Sequence, residues 1–344
     1  MTATQRMPLG GSGVEVTALG FGGATIGGLF RRIPEAQVQD TLAAAFEAGI
    51  RLFDTAPLYG HGQSELRVGY QLRQRDLGDT VLATKVGRLL QRPRTRPREV
   101  DLGGWSGGLP FAWCWDFSHD GILRSYEDSL QRFGINRVGL LTIHDLDYSE
   151  HATPETADGH LDQLIRAGGW RALEELKAAG EIRAIGAGVN DSGTITRFAE
   201  RVALDYFLLA MPYSLVEQEL LDGELSYCSE HDIGIIKGAP YASGILATGA
   251  VPGATYNYRA AAPAVRAKVA RIAAVCDRHG VPLRAAALQF ALAHPAVATV
   301  IPGAVTPAEV RDNVAMVAWP IAGDLWLELK HEGLLHGDSP TPER

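Results

Sequence analysis

The chain has 344 residues, of which 46% are hydrophobic and 21% are charged, and these fractions exclude a disordered or fibrous protein. Its 32 Lys and Arg against 40 Asp and Glu give a net charge of −8. That charge argues against general binding to nucleic acid or to an anionic membrane, because the long-range field repels both. The three cysteines are isolated in sequence and favour a reducing compartment. No apolar run has the length of a signal peptide or a membrane span, so we expect a cytoplasmic protein.

Gly and Pro punctuate a repeated alternation of strand and helix. Short apolar runs predict strands at 16–21, 51–54, 80–85, 138–143, 182–189, 206–211, 233–237 and 298–301. Amphipathic segments predict helices at 34–48, 64–73, 120–133, 161–179, 194–202, 216–230, 264–279 and 307–317. Eight such pairs without a long polar linker predict an α/β fold, a single (β/α)₈ TIM barrel domain over 1–344 rather than a Rossmann fold. We expect three additions to the barrel: an N-terminal hairpin at 7–16, a long βα loop at 86–119 and a tail at 322–335.

Polar side chains stand where the predicted strands end. Asp54 ends the second strand, Lys85 ends the third and His144 ends the fourth, while Tyr59 follows Asp54 by five residues. Each has an ordinary structural explanation by itself, such as capping a turn or filling the core. A lysine at the end of a buried strand is nevertheless costly unless it is paired, and Asp54 is an available partner. Because the carboxyl ends of barrel strands meet at one face, we expect these four side chains to lie together.

The four residues together predict a site for proton transfer. A tyrosine has a pKa of about 10, which is too high for a good base at neutral pH, and a nearby ammonium lowers it. We therefore expect Lys85, held by Asp54, to lower the pKa of Tyr59. Tyr59 would then exchange a proton with a substrate oxygen that His144 orients. The sequence has no metal-ligand cluster and no cysteine pair, so a hydride transferred here needs an organic carrier.

The motifs around these residues resemble those of the aldo-keto reductase superfamily. They are AGIRLFDTAPLYGHGQSE, TKVGR and LLTIHD, and the resemblance continues through GVN and VIPGAVTPAEVRDN over nearly the whole chain. LGFGGATIGGLFR, PYASGILATG and GATYNY are similar to the branch that contains D-threo-aldose (L-fucose) 1-dehydrogenases and pyridoxal 4-dehydrogenase. The resemblance implies that Tyr59 is the general acid/base, that Lys85 and Asp54 tune it, and that His144 orients the substrate.

The resemblance also implies a nicotinamide dinucleotide, bound in an extended form across the strand ends. The cofactor-binding residues that it implies are Gly22, Gly23, Ala24, Asp54, Val189, Asn190, Gly244, Gly303, Ala304, Val305, Glu309 and Asn313. Among them, Asn190 matches the position that contacts the carboxamide. Two features of the family are missing, since an amide position is Ala210 here and a stacking aromatic is Gly238. Tyr213 and Tyr241 are the two candidates for a replacement aromatic.

The last repeat bears on which dinucleotide is bound. Residues 303–306 lead into a helix N-terminus, where free N–H groups and the helix dipole can hold a phosphate. Relatives that use NADPH often have Lys or Arg here, whereas this chain has Gly303, Val305 and Glu309. A carboxylate repels a 2′-phosphate and accepts a hydrogen bond from a free ribose hydroxyl. The sequence therefore favours NAD, with NADP as the alternative that Arg311 keeps open.

Aromatic and basic residues in the predicted loop at 86–119 are candidates for contacts with the substrate. The aromatic candidates, which join Tyr59 and His144 as predicted substrate-binding residues, are Trp105, Trp113 and Trp115. Aromatic faces stack on sugar C–H surfaces or on a pyridine ring, and a hydrophobic plug that holds the loop down is the alternative. A basic cluster in the same loop favours a solvated rim over an anion site; its members are Arg88, Arg92, Arg94, Arg96 and Arg98.

The reaction that the resemblance implies is oxidation of a cyclic hemiacetal to a lactone, with an aldose such as L-fucose or a D-threo-aldose as substrate. Three alternatives stay open: oxidation of pyridoxal, NADPH-dependent reduction of an aldehyde or ketone, and a regulatory barrel without activity. The complete set of four residues argues against the last. The expected partner is a small sugar-like or pyridoxal-like molecule, and the sequence does not specify an oligomeric state.

Overall fold

The structure, a computed structural model, describes residues 1–94 and 100–342. The strands in these ranges are β1 (Arg6–Pro8), β2 (Glu15–Thr17), β3 (Phe21–Gly22), β4 (Leu52–Asp54), β5 (Val81–Val86), β6 (Arg88–Gln91), β7 (Ala112–Trp115), β8 (Leu140–Ile143), β9 (Ala184–Val189), β10 (Tyr206–Leu209), β11 (Gly234–Gly238), β12 (Thr255–Tyr256), β13 (Arg259–Ala260) and β14 (Val297–Ile301). The α-helices are α1 (Glu35–Glu47), α2 (Gln63–Leu72), α3 (His119–Phe133), α4 (Pro154–Arg166), α5 (Gly169–Ala178), α6 (Thr194–Ala199), α7 (Glu224–Glu230), α8 (Ile245–Thr248), α9 (Pro263–Arg278), α10 (Leu283–Leu292), α11 (Pro307–Val317) and α12 (Gly323–His331).

Eight parallel strands form the predicted barrel. They neighbour one another in the order β3, β4, β5, β8, β9, β10, β11 and β14. Parallel bridges from Leu19 to Val300 and from Gly22 to Gly303 connect the first strand region to the last, so the sheet closes on itself. Every residue of β5, β9 and β14 is buried, as expected for strands covered by helices outside and by side chains within.

An antiparallel hairpin of β1 and β2 covers the N-terminal end of the barrel, where the sequence predicts a hairpin. Its apolar residues Leu9, Val14 and Val16 belong to one buried cluster with strand residues Leu52, Val81, Leu140, Ala184, Tyr206, Ile236 and Ala298. The hairpin therefore seals this end, and the C-terminal ends of the strands form the face that is open to ligands.

Glycine and long-range pairing move several predicted boundaries. The helix predicted at 161–179 is two helices, α4 and α5, because Gly168 between them has a left-handed φ of 80°. The strand predicted at 16–21 is divided, since Glu15–Thr17 pairs in the hairpin and only Phe21–Gly22 pairs in the barrel. The helix predicted at 216–230 becomes regular only at Glu224, after Gly223.

Several further elements lie where none is predicted, among them a hairpin and a helix. The segment predicted as a loop at 86–119 contains the antiparallel hairpin of β6 and β7, in which Arg88 pairs with Trp115. The helix α10 lies between α9 and β14, and its many small residues weaken the amphipathic pattern that identifies a helix in sequence. None of the helices in the described ranges is long and apolar enough to cross a membrane.

Candidate active site

The predicted ion pair forms at the C-terminal ends of β4 and β5. Lys85 Nζ donates to Asp54 Oδ1 at 2.8 Å, to Asp54 Oδ2 at 2.7 Å and to the Thr55 carbonyl oxygen at 2.9 Å. Both charged side chains are buried. Burial raises the pKa of the Asp54 carboxyl, and the Lys85 ammonium opposes that rise. An ammonium has three protons, so these contacts fill the donor capacity of Lys85.

Tyr59 lies against this pair, in the segment that leads from β4 into α2. Gly62, with a φ of 97°, lets the chain turn sharply just before the helix. Lys85 Nζ lies 4.9 Å from the centroid of the Tyr59 ring. The ring centroids of His144 and Trp105 lie 5.9 Å and 5.3 Å from that of Tyr59. The structure therefore brings the predicted catalytic residues together beside one of the predicted substrate contacts.

The electrostatics of Tyr59 differ from the expectation. Burial raises its pKa well above the ordinary value of 10.0, and the Asp54 and Asp145 carboxylates raise it further. The net shift is therefore upward, where the sequence predicted a lowered pKa, and burial of the phenol is its largest cause. Both Asp54 oxygens contact the Lys85 ammonium and compensate its charge. The Tyr59 phenol is protonated at neutral pH and is a hydrogen-bond donor.

His144 is neutral in this site. Burial lowers its pKa to about 3, and the adjacent Asp145 carboxylate opposes that shift. His144 Nε2 lies 3.2 Å from Asp145 Oδ2. His144 Nδ1 is buried and has no hydrogen-bond partner among the described residues. A buried nitrogen without a partner is costly, so His144 Nδ1 is an unsatisfied polar group of this site.

Two contiguous cavities surround these residues. The His144 cavity, of 210 Å³, is lined among others by Tyr59, Trp105, His144, Asp145, Glu150 and Asn190. The Gly303 cavity, of 310 Å³, is lined among others by Gly22, Gly23, Asp54, Tyr241, Gly244 and Gly303. The lining residues that both cavities share are Ala24, Leu29, Tyr59, Leu208, Ala210 and Tyr258. Larger cavities of 700 and 520 Å³ lie at the N-terminal end of the barrel and beside α6 and α7, away from all four predicted catalytic residues.

The predicted cofactor residues fall into three groups. Those that line the Gly303 cavity are Gly22, Gly23, Ala24, Asp54, Gly244 and Gly303. Val189 and Asn190 line the His144 cavity, where Asn190 Nδ2 donates to Asp145 and Asp147. Those that line neither cavity are Ala304, Val305, Glu309 and Asn313, in the segment at the start of α11 and in that helix. The prediction therefore mixes residues of the cavity wall with residues that support it.

Contacts within the protein explain several of these positions. A Cβ atom on Gly23 would lie 2.6 Å from the Asp54 carbonyl oxygen, so close packing of the strand ends by itself requires glycine there. Glu309 Oε2 accepts a hydrogen bond from the Val305 N–H at 2.7 Å, at the N-terminus of α11. Asn313 Oδ1 accepts from the Tyr241 hydroxyl at 2.7 Å and so holds that ring at the wall of the Gly303 cavity.

The three tryptophans have different positions. Trp105 lines the His144 cavity, as predicted for a substrate contact. Trp113 and Trp115 line neither cavity, and their rings pack edge to face with centroids 5.3 Å apart. The Arg88 guanidinium carbon lies 4.4 Å from the Trp113 centroid and 4.0 Å from the Trp115 centroid. The two rings therefore pack with Arg88 in the β6–β7 hairpin, in keeping with the alternative of a hydrophobic plug, and a role in substrate binding stays a prediction.

The basic cluster of the same segment is not one solvated rim. Arg88 is buried, and its Nη2 donates to Asp145 Oδ2 at 2.8 Å. Arg92 and Arg94 are exposed, and Arg96 and Arg98 lie outside the described residues. The sequence of β6, Arg-Leu-Leu-Gln, does not alternate and so did not indicate the inward position of Arg88.

Two tyrosines line the cavities, one that the sequence analysis did not predict and one that it did. Tyr258 lines both cavities from the tip of the β12–β13 hairpin. The turn residues of this hairpin, Asn257 and Tyr258, have φ values of 49° and 58°, a conformation that asparagine favours. Asn257 was therefore the signal in the sequence that could have indicated this turn. Of the two candidate replacement aromatics, Tyr241 lines the Gly303 cavity. Tyr213 is fully buried and stacks on Phe290, with centroids 5.2 Å apart.

Comparison with known proteins identifies the family. The model of the aldo/keto reductase family matches residues 18–330. The chain belongs to this family. Aldo-keto reductases are oxidoreductases that use nicotinamide cofactors, and the closed barrel with its open C-terminal face is their fold. In this family member, small residues at the wall of the Gly303 cavity, among them Gly22, Gly23, Ala24, Gly244 and Gly303, fit a cofactor that lies close to the backbone.

Three similar proteins narrow the comparison. Pyridoxal 4-dehydrogenase of Microbacterium luteolum is 37% identical over 342 residues, which cover 97% of this chain and 99% of that one. D-threo-aldose 1-dehydrogenase of a Pseudomonas species is 37% identical over 335 residues, covering 96% and 97%. Among solved structures, the holo form of an aldo-keto reductase from Bacillus halodurans has a TM-score of 0.74 and 26% identity, with 99% of each chain covered.

Proposed function

We propose that this aldo-keto reductase oxidises the hemiacetal carbon of a small cyclic substrate, an aldose or pyridoxal, with NAD. The observation that carries the proposal is the convergence of Tyr59, Lys85 and His144 on the His144 cavity, which is continuous with the Gly303 cavity. The names of the two relatives at 37% identity support this class of substrate. Both aldoses and pyridoxal form cyclic hemiacetals, whose carbon can lose a hydride while its hydroxyl loses a proton.

Tyr59 is the proton-exchanging group in this proposal. A nicotinamide dinucleotide, held by residues of the Gly303 cavity, would supply the hydride acceptor. The Tyr59 phenolate accepts the proton of the substrate hydroxyl. Neutral His144, which lines the His144 cavity together with Tyr59, offers a ring N–H to that substrate oxygen and fixes its position. The Asp54–Lys85 pair packs against the Tyr59 ring and keeps it at the strand ends. Trp105 packs beside that ring and lines the same cavity.

The pH dependence of oxidation follows from the raised pKa of Tyr59. Because the phenol is protonated at neutral pH, it must lose its proton before it can accept one. We therefore expect kcat/KM for oxidation to rise with pH from 6 to 10, since this parameter reports the pKa of the free enzyme. A flat profile over that range, with chemistry rate-limiting, would contradict Tyr59 as the base.

The direct test is Tyr59→Phe, which removes the hydroxyl and keeps the ring. We expect turnover to fall by about 10²- to 10⁴-fold, the usual contribution of general acid–base catalysis. Binding of NAD, followed by quenching of protein fluorescence, should stay within about twofold because the ring contacts remain. Tyr70→Phe, on the exposed face of α2, is the matched control. Undiminished turnover in Tyr59→Phe would show that the assigned mechanism is wrong.

We propose NAD rather than NADP from the contact at the start of α11. Glu309 already accepts from the Val305 N–H, so a carboxylate occupies the helix N-terminus that could otherwise hold a phosphate. Titration of the protein with NAD and NADP should give a lower Kd for NAD. Glu309→Gln should reduce that preference several-fold, whereas Glu155→Gln, in the first turn of the remote helix α4, should not. Tighter binding of NADP to the unchanged protein would contradict the proposal.

A second candidate function is reduction of an aldehyde or ketone by the same residues. The observation that favours it is the raised pKa of Tyr59, because a protonated phenol is ready to donate to a carbonyl oxygen. Initial rates at pH 7 with aldoses and pyridoxal in the oxidising direction, and with their open-chain aldehyde analogues in the reducing direction, distinguish the two functions.

A further inference from the structure

Two carboxylates that belong to one βα loop line the His144 cavity. Asp145 directly follows His144, and Glu150 ends the short 3₁₀ turn Tyr148–Glu150 in the same βα loop. Neither carboxylate is needed for the proton transfer proposed for Tyr59. Their presence in the wall of the cavity therefore calls for another explanation.

Arg88 is the cation nearest to both carboxylates. Its Nη2 lies 2.8 Å from Asp145 Oδ2 and 3.5 Å from Glu150 Oε2. The Arg88 side chain is buried, and its guanidinium packs against the rings of Trp113 and Trp115. This one guanidinium therefore serves two carboxylates, and its closer contact is to Asp145.

The negative charge of Glu150 is less compensated than that of Asp145. Its side chain is 39% exposed, whereas that of Asp145 is 14% exposed and also accepts from Asn190 Nδ2 at 3.2 Å. Burial and the Asp145 carboxylate raise the pKa of Glu150 to about 7, and the more distant Asp147 and Asp191 act in the same sense while Arg88 opposes them.

We propose that Glu150 is a specificity-determining residue that accepts a hydrogen bond from a hydroxyl of the substrate and repels substrates that carry a carboxylate or phosphate. The substrate class is then an uncharged, hydroxylated hemiacetal. This inference rests on the proposed function, because it takes the His144 cavity as the substrate site. Carboxylates accept strongly from hydroxyl groups. The two cations beside this cavity, Arg88 and Lys85, are each already paired with an aspartate and so offset a further negative charge poorly.

The test compares substrates that differ in charge far from the reacting carbon. Such pairs are an aldose with the uronic acid that differs from it at C6, and pyridoxal with pyridoxal 5′-phosphate. We expect the unchanged protein to favour the neutral member by roughly 100-fold in kcat/KM. The neutral substrate gains a hydrogen bond to Glu150, and the same carboxylate repels the anionic substrate. Glu150→Gln should reduce the preference by about 10-fold, the effect of one charge at a distance of several ångströms. The change should be in KM, with kcat for the neutral member nearly unchanged.

Two companion variants separate this role from a structural one. Glu150→Asp keeps the charge and should keep the preference, and Glu174→Gln on the exposed face of α5 should change nothing. The uronic acid gives a further readout, because its own charge is constant above about pH 5. Its kcat/KM, relative to that of the neutral aldose, should fall as the pH rises from 6 to 8, and Glu150→Gln should abolish this fall.

Binding measurements keep this inference separate from the assigned chemistry. Isothermal titration of the protein saturated with NADH, which cannot accept a hydride from the substrate, gives the affinity for each neutral and anionic member without oxidation. Equal affinities in the unchanged protein, a preference that Glu150→Gln leaves intact, or no binding of any neutral member would each overturn the inference. Retained turnover in Tyr59→Phe would instead refute the proposed mechanism and leave the charge preference standing.

Discussion

Lys237 gives the sharpest test of the structure. It lies in β11, fully buried, and its Nζ donates to the carbonyl oxygens of Leu209 at 3.3 Å, Ala210 at 2.9 Å and Gly238 at 2.5 Å. No carboxylate is among these partners. Burial therefore lowers its pKa from 10.5 to about 7, and the distant Glu217 opposes the shift only in part.

The sign of the effect on stability follows from where the proton is bound. Below pH 7 the lysine is protonated in both the folded and the unfolded chain, so this group adds no pH dependence. Between pH 7 and 10.5 the folded protein has released the proton that the unfolded chain still binds, and raising the pH favours the folded state. At pH 9, two units above the folded pKa, the gain in unfolding free energy is roughly 2.5 kcal/mol.

The variant Lys237→Met removes the titrating group and keeps a side chain of similar length. We expect the unfolding free energy of the unchanged protein, relative to this variant, to increase by about 2.5 kcal/mol from pH 6 to pH 9. Urea unfolding followed by tryptophan fluorescence at several pH values measures it. Lys330→Met, in the last turn of α12, is the control. A difference that stays constant within about 0.5 kcal/mol would refute the assignment of a lowered pKa to Lys237.

Three further predictions concern the fold. Lys85→Met should lower the free energy of unfolding by about 3–5 kcal/mol, because it leaves Asp54 buried without its partner. Adding Asp54→Asn should recover most of that loss in the same urea assay, and equal stability of the single and double variants would contradict this. Gly169→Ala should lower the melting temperature, since its Cβ would collide with the Phe117 carbonyl oxygen, and an unchanged value would refute that packing. Thr306→Ala should lower the free energy of unfolding by about 1 kcal/mol, because the Thr306 hydroxyl accepts a hydrogen bond from an N–H at the start of α11. No loss would mean that this cap contributes nothing to stability.

The sequence determined the barrel and the core of its site. Short apolar runs alternate with amphipathic segments eight times, and parallel strands have their carboxyl ends on one face, so Asp54, Lys85 and His144 had to lie near one another. The adjacency of Lys85 and Asp54 was likewise predictable, because a lysine on a buried strand needs a partner.

Only the tertiary structure decided the electrostatics and the cavity walls. The pKa of Tyr59 is raised and not lowered, because burial and the exact contacts of the Lys85 ammonium outweigh simple proximity. Arg88 is buried by two tryptophans from a strand that pairs with its own, and Glu150 reaches the cavity through a βα loop. Local sequence patterns report which face of an element is apolar. Burial, charge compensation and the approach of distant loops depend on contacts between residues far apart in the chain, and these arise only when the barrel closes.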